Sequence, residues 1–270
     1  MIDFSNVCFG YGEISVLKNV SFHIEKGEFA AVLGANGAGK TTLSKMFNGI
    51  LKPSQGDVTV AGMNTKTTRT SKLAKHIGFL FQNPDRQICK NTVREEIMFG
   101  LECVSNDKDY CRKQCEKTLE AFGFDGEKDP FTMSRGERQK IALASVIAVE
   151  PEVLILDEPT TGLDYSECMH IMNIVSELNK KGTTVIMVTH DMEIVLDFAQ
   201  KVLVMNHGQL LKYGNMREVM KDNDILMQAR LMPPQIAGLA MRLDGFDDVF
   251  TNSEMLERLS ERSRKNERIS

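Results

Sequence analysis

At 270 residues, 42% of them hydrophobic, the chain is long enough for one large α/β domain plus a short appendage. Lys and Arg total 33 against 37 Asp and Glu, and the resulting net charge of −4 argues against a protein whose main business is gripping a nucleic-acid backbone. No stretch approaches the ~20 consecutive apolar residues of a membrane helix. The opening Met1-Ile2-Asp3-Phe4-Ser5 also lacks the basic start and apolar run of a secretory signal. The expectation is a cytoplasmic chain that sits on a membrane only through a partner.

Residues 3–9 and 20–24 alternate apolar and polar side chains, as half-buried antiparallel strands do. Residues 29–33 form a continuous apolar run ending in glycine, the mark of a buried strand feeding a tight turn. A helix is expected over 39–50, with short strands at 56–61 and 77–81. Between about 87 and 149 the apolar spacing changes to three or four residues, which predicts an inserted helical subdomain. Alternation then resumes: strand 153–156, helix 166–180, strand 183–189, helix 192–199, and two strands, 201–205 and 209–213, around Asn206-His207-Gly208. Strands alternating with helices imply a parallel sheet with helices packed on it. Beyond residue 222 the pattern becomes helical and charged. Residues 227–243 are amphipathic and interrupted by Pro233-Pro234, and Thr251-Asn252-Ser253-Glu254 has the form of a capping box.

Gly34-Ala35-Asn36-Gly37-Ala38-Gly39-Lys40-Thr41 has the phosphate-loop spacing, with the required strand before it and helix after it. Glycines let backbone N–H groups wrap a phosphate, and the helix start adds roughly half a positive charge. Lys40 would bind the β- and γ-phosphates and Thr41 a Mg²⁺ ion. Val153-Leu154-Ile155-Leu156-Asp157-Glu158 delivers two acids at a strand end, Asp157 for the metal and Glu158 as general base for an attacking water. Thr189-His190-Asp191 closes another strand, and C-terminal strand ends share the edge where ligands bind. His190 is therefore expected near Glu158, whereas His23, His76, His170 and His207 read as structural. Met133-Ser134-Arg135-Gly136-Glu137 opens a helix with a Ser and a Gly, an anion-binding start that could equally be an ordinary cap. Six scattered cysteines read as reduced thiols. Cys111 and Cys115 lie one helical turn apart but lack the second pair of a closed zinc site.

These motifs, in this order, resemble the ATP-binding-cassette ATPase family over about residues 1 to 220. The resemblance implies a P-loop α/β fold with an N-terminal antiparallel β subdomain and an inserted helical subdomain. It places a nucleotide-binding domain at 1–221 and a helical appendage at 222–270. It implies that Tyr11 stacks on adenine and that residues Gly34, Asn36, Gly37, Gly39, Lys40, Thr41 and Thr42 hold the phosphates of ATP. Thr41, Gln82 and Asp157 would hold Mg²⁺, and Glu158, His190 and Gln82 would carry hydrolysis. Ser134 and Gly136 of the signature, and Asp164 of the D-loop Thr161-Gly162-Leu163-Asp164, would reach the nucleotide of a second, identical or paralogous, ATPase subunit. The signature departs from the usual Leu-Ser-Gly-Gly-Gln by placing Arg135 where glycine is expected and Glu137 where glutamine is.

Gln82-Asn83-Pro84-Asp85-Arg86-Gln87, and the tail Ala229-Arg230-Leu231-Met232-Pro233-Pro234 with Leu239 and Leu243, resemble the ATPases of energy-coupling factor transporters. That subfamily implies two ATPases on the cytoplasmic face of the membrane, a transmembrane scaffold met by the short helix after Gln82, and a small membrane protein that binds a vitamin or transition-metal ion. A conventional importer or exporter ATPase shares every core motif. A cassette acting on DNA or ribosomes is disfavoured by the acidic charge and by the lack of a coiled-coil insertion or a second cassette.

Overall fold

The computed structural model describes residues 1–240, 242–246 and 248–267. The chain opens with a hairpin, β1 (Ile2–Tyr11) and β2 (Ile14–Ile24), then enters the middle of a second sheet as β3 (Phe29–Gly34), which feeds α1 (Lys40–Phe47). It returns to the hairpin with β4 (Gln55–Val60) and β5 (Met63–Asn64), completing a four-stranded antiparallel sheet in the order β2-β1-β4-β5. A one-turn helix, α2 (Thr70–Leu73), leads to β6 (Ile77–Leu80). Three helices follow: α3 (Val93–Val104), α4 (Lys108–Phe122) and α5 (Arg135–Ile147). Alternation resumes with β7 (Val153–Asp157), α6 (Tyr165–Lys180), β8 (Thr184–Val188), α7 (Met192–Phe198), β9 (Lys201–Asn206) and β10 (Gln209–Asn215). The second sheet runs β10-β9-β3-β8-β7-β6, parallel throughout except for the β9–β10 hairpin.

The continuous apolar strands have two faces to cover, and each face has its own core. Ala31 and Leu33 of β3, with Leu154 and Leu156 of β7, pack among the helices. Their neighbours Ala30, Val32, Val153 and Ile155 pack against the antiparallel sheet. Side chains alternating across a strand make this split unavoidable. Both cores position the site: α3, α5 and α6 hang from the helix-side core, and α1 is anchored in the other through Leu43, Met46 and Phe47.

The second strand begins at Ile14, six residues before the expected start. Its ladder with β1 shifts register at three points, and Asn6 and Asn19 both have φ of 51°. These irregularities break the apolar–polar alternation on which the sequence reading relied. α2 was not expected at all.

The chain ends with α8 (Met216–Met220), α9 (Asn223–Gln228), α10 (Gln235–Ala240) and α11 (Asn252–Glu267), with Pro233-Pro234 between α9 and α10. Leu226, Ala229, Ala237 and Phe250 join the helix-side core. The Thr251–Glu254 capping box forms: the Glu254 N–H donates to Thr251 Oγ1 at 3.3 Å and the Thr251 N–H donates to Glu254 Oε2 at 3.2 Å. Among the described residues no helix is long and apolar enough to cross a membrane. All six cysteines are free, with Cys111 and Cys115 buried among the helices. Three of the four structural histidines have local partners: His23 meets Asp3, His76 meets Glu152, and His170 lies edge-on to Phe122. His207 occupies the β9–β10 turn at φ 45°.

Candidate nucleotide site

Register fixes which side chains share the C-terminal edge of the parallel sheet. Val32 pairs with Val188, Val188 with Asp157, and Leu156 with Leu80. The residues just beyond that row emerge side by side: Gly34 and the loop from β3, His190 from β8, Glu158 from β7, and Gln82 from β6. Open α/β sheets bind ligands at this edge.

The phosphate loop is shaped by glycines at places where a side chain would be strained or would clash. Gly37 and Gly39 have φ of 80° and 101°, and a Cβ on Gly39 would lie 2.9 Å from Leu17 Cδ2. A Cβ on Gly34 would fall 2.3 Å from the Met205 carbonyl. The loop is braced from below: the Gly208 N–H donates to Ala38 O at 3.1 Å, and the Lys18 N–H donates to Gly208 O at 2.8 Å. The same β2 that carries Leu17 and Lys18 is hairpinned to Tyr11, which is 51% exposed at the end of β1 and packs edge-on against Phe9. No side chain caps α1 after Gly39, and its first turn holds no acid. The first four N–H groups of a helix have no partner within it, so Lys40, Thr41 and Thr42 begin an electropositive end left open. Lys40 Nζ donates to the Gly34 and Ala35 carbonyls at 2.7 and 3.2 Å, which curls the ammonium over the loop. Burial pulls the Lys40 pKa below its ordinary value, and the charges of Glu158 and Asp157 partly restore it.

The paired acids differ sharply. Asp157 is 3% exposed: one carboxylate oxygen accepts from Ser44 Oγ at 3.3 Å, and the other is buried with no partner. Burial, with the neighbouring Glu158 charge, pushes its pKa up to about 6. An orphaned carboxylate oxygen facing a Thr- and Ser-bearing helix start is a donor set that suits a hard divalent cation. The residues therefore fit Mg²⁺. Glu158 has a φ of 54°, a strained value for a residue with a side chain, and is anchored by its N–H donating to Val188 O at 2.8 Å. Its Oε2 lies 2.8 Å from His190 Nδ1, with the imidazole 76% exposed and the carboxylate 12%. Strain at the acid and an outward-facing imidazole mark a site built for something other than stability.

Ser134 caps α5 in a full capping box. Its Oγ accepts from the Glu137 N–H at 3.2 Å, while the Ser134 N–H donates to Glu137 Oε2 at 2.8 Å. These bonds hold the Glu137 carboxyl below its ordinary pKa, so it is ionised at neutral pH. Gly136 has an in-chain reason to be glycine: a Cβ there would lie 2.7 Å from the carbonyl of Gly162. The signature thus packs directly on the D-loop, where Asp164 caps α6 with its own capping box. Lys140 reinforces the contact with a 2.6 Å bond to Glu167.

Gln82 is exposed just past β6. The short helix expected after it, the one that the resemblance sets against a transmembrane scaffold, is Pro84–Arg86, a 3-10 turn capped by Asn83. Two struts fix it to α5. Asp85 Oδ1 accepts from Arg138 Nε at 2.8 Å, and Gln87 links the Phe81 N–H to the Ala142 carbonyl at 3.1 and 3.0 Å. These partners lie about fifty residues apart, beyond the reach of local pattern. Ser44 was also missed, although its place one turn after Thr41 sets it on the same helix face.

This edge defines the class of protein: a nucleotide-binding cassette with an open phosphate loop, a strand-end acid pair and a histidine hydrogen-bonded to the second acid. The family model described as "ABC transporter" matches residues 17–161, and the chain belongs to that family. It is 41% identical to an energy-coupling factor transporter ATP-binding protein, EcfA, of Methanocaldococcus jannaschii, over 87% of this chain and 86% of that protein. It is 45% identical to a putative ABC transporter ATP-binding protein of Caldanaerobacter subterraneus, of which it spans only 40%. Among solved structures it superposes on CbiO1 of Clostridium perfringens, part of the CbiONQ transporter complex, with a TM-score of 0.74, 34% identity and 90% and 98% of the two chains covered. It also superposes on the dimeric cassette MJ0796 bound to ADP and Pi, with a TM-score of 0.73, 28% identity and 80% and 99% covered.

Proposed function

We propose that this chain is an ATP-hydrolysing subunit of an energy-coupling factor importer, on the cytoplasmic face of the membrane. The observation that carries hydrolysis is the Glu158–His190 pair at 2.8 Å, on one strand edge with the phosphate loop and Asp157. In this reading Tyr11 stacks on adenine, the N–H groups from Gly34 to Thr42 and Lys40 hold the phosphates, and Thr41, Gln82 and Asp157 hold Mg²⁺. When bound, that ion screens charge on the phosphate oxygens. Glu158 takes a proton from the attacking water, and its anchored backbone keeps the carboxylate aimed at that water. His190 orients Glu158. Ser134, Gly136 and Asp164 complete the site of a second subunit, as the dimeric nucleotide-bound relative supports.

ATP binding at two composite sites would close the dimer, and hydrolysis would reopen it. The struts from Asp85 and Gln87 to α5 mean that a shift of the Gln82 segment carries the signature helix with it. The transporter class rests on the EcfA likeness, which spans most of both chains. A vitamin or a transition-metal ion is the expected cargo.

The test is to tag the chain, purify it from native membranes in mild detergent and identify what accompanies it. One membrane scaffold with small integral binding proteins supports the energy-coupling reading. A conventional permease pair, or no membrane protein, overturns it while leaving the ATPase intact. Hydrolysis is tested separately with Glu158→Gln, expected to bind ATP normally and to turn over at least 100-fold more slowly.

A further inference from the structure

We propose that the surface around α2, residues 66–76, is a membrane-contact patch that binds the headgroups of anionic phospholipids. The inference rests on the membrane location proposed above and adds a direct lipid contact to it.

The sequence segregates charge here. Residues 58–84 hold Lys66, Arg69, Lys72 and Lys75 and no Asp or Glu, in a chain with 37 acids in 270 residues and a net charge of −4. The fold gathers these cations instead of dispersing them. The Lys72 N–H donates to Arg69 O at 2.9 Å and the Lys75 N–H to Lys72 O at 3.3 Å. Both bonds span three residues, the spacing at which side chains eclipse, so Arg69, Lys72 and Lys75 stack along one face. Together with Thr68 and Ser71 they line one open recess.

Among the described residues, Arg69, Lys72 and Lys75 are exposed and make no ion pair or side-chain hydrogen bond, while Lys66 spends its ammonium on the Gly56 carbonyl. His76, at the border, is bonded to Glu152 at 2.6 Å. Cations elsewhere have carboxylate partners, as Lys140 does in Glu167 and Lys212 in Asp222. Like charges stacked on one turn repel. The cluster is a cost to the isolated fold, and a surface carrying many negative charges offsets it.

The flank of the patch says which kind of surface. Ala74 also lines a neighbouring groove with Ile77, Phe79, Phe99 and Val104, and Phe99 is 44% exposed. On the other side, Thr70 Oγ1 donates to Gly49 O at 3.3 Å, and the next residue, Ile50, is 46% exposed. Stacked cations bordered by exposed apolar side chains match a bilayer interface, which offers phosphates and hydrocarbon together. A nucleic-acid backbone would use the cations alone, and the recess holds no Phe, Tyr or Trp on which a base could stack. α2 precedes the N-terminal end of β6, whereas Gln82 follows its C-terminal end, so lipid contact leaves the nucleotide edge free.

The experiment is flotation of the full chain at low salt with protein-free vesicles, either phosphatidylcholine alone or an equal mixture with phosphatidylglycerol. The chain is expected to rise with the mixed vesicles and to stay behind with phosphatidylcholine. Replacing Arg69, Lys72 and Lys75 together by Ala should weaken partition about 100-fold, with an unchanged or slightly higher melting temperature. Lys72→Arg with Lys75→Arg keeps the charge and should bind as the parent does. Removing Lys26, Lys108 and Lys113, exposed cations outside the patch, changes net charge equally and should have little effect. Four results overturn the inference: no flotation of the parent with mixed vesicles, equal flotation of the patch variant, an equal loss in the control variant, or a loss accompanied by a melting temperature several degrees lower. Retention on duplex DNA as tight as on the mixed vesicles overturns it too, by assigning the patch to nucleic acid. Because the vesicles contain no scaffold, failure here leaves the transporter reading standing, and absence of a scaffold in the purification leaves the flotation result standing.

Discussion

Two helix starts in this chain, both proposed to meet phosphate, are finished in opposite ways. α1 begins after Gly39 with no side-chain cap and no acid in its first turn. α5 begins after Ser134 with a complete capping box and an ionised Glu137. The other helices of the helical subdomain are capped too: Thr92 closes α3 and Asp107 closes α4. An orphaned helix start is a cost to the folded chain unless something external satisfies it. The open end at α1 therefore suits the proposed role of holding the chain's own phosphate ligand. The closed end at α5 is a structural turn first and a contact second.

If that contrast holds, changes at α1 should cost binding without costing stability, and changes at α5 the reverse. The largest effect is expected from Lys40→Ala. Removing the ammonium that curls over the loop should weaken Mg-ATP binding at least 100-fold, or by about 3 kcal/mol. Melting temperature should stay within about 2 °C, because a half-buried cation contributes little net stability. Calorimetric titration with scanning fluorimetry checks both. Near-normal ATP affinity in this variant would break the comparison at its first term.

Asp157→Asn sharpens the same distinction. Asp157 is a buried carboxylate with one oxygen unpartnered, so the metal-free fold bears it at a loss. An amide keeps the acceptor for Ser44 and removes the charge. The expected outcome is a gain of about 2 kcal/mol in the metal-free protein at pH 7.5, read as a melting temperature about 4–8 °C higher. Mg²⁺-dependent hydrolysis should be lost. A lower melting temperature would show that Asp157 stabilises the fold and is not held there for a cation.

At the closed end, Ser134→Ala removes a capping side chain and should cost about 1 kcal/mol, or about 2–4 °C in melting temperature. Mg-ATP affinity of the dilute, unpaired chain should not change, since Ser134 is proposed to serve a partner's site. A weakened affinity there would place Ser134 in the chain's own nucleotide site and undo the assignment.

The site was legible where chemistry is local and opaque where it is not. Gly34 to Thr41 declares itself because loop, strand and helix must be contiguous. Asp157 and Glu158 follow from a single apolar strand, and the register of β3, β8 and β7 brings His190 to Glu158 as the strand ends implied. The struts from Asp85 to Arg138 and from Gln87 to Ala142 join segments about fifty residues apart, and charge or amide type alone gives no hint of the partner. Gly136 shows a subtler gap. The resemblance gives its glycine a role at a second subunit's nucleotide, while the nearest obstacle to a side chain is Gly162 of the same chain. The fold was misread mainly in β2, where bulges at positive-φ asparagines erase the period-two signal.

The smallest predicted effect isolates the charge of the cap from its shape. Glu137→Gln keeps a side chain able to accept from the Ser134 N–H, so the capping box persists and only the charge is lost. The fold should lose a few tenths of a kcal/mol at neutral pH, from the weaker hydrogen bond and the lost attraction to the helix start. The sign with pH is definite. Glu137 is held below the ordinary glutamate value of 4.5, so its contribution is present above that value and disappears as pH falls through its lower, folded-state value. Wild type and Glu137→Gln should therefore differ slightly in urea midpoint at pH 7 and converge once the pH falls below the lowered folded-state value of Glu137. A gap that stays constant down to pH 3 would mean that the carboxylate charge contributes nothing to the α5 cap. The difference between the two helix starts would then lie in their geometry alone.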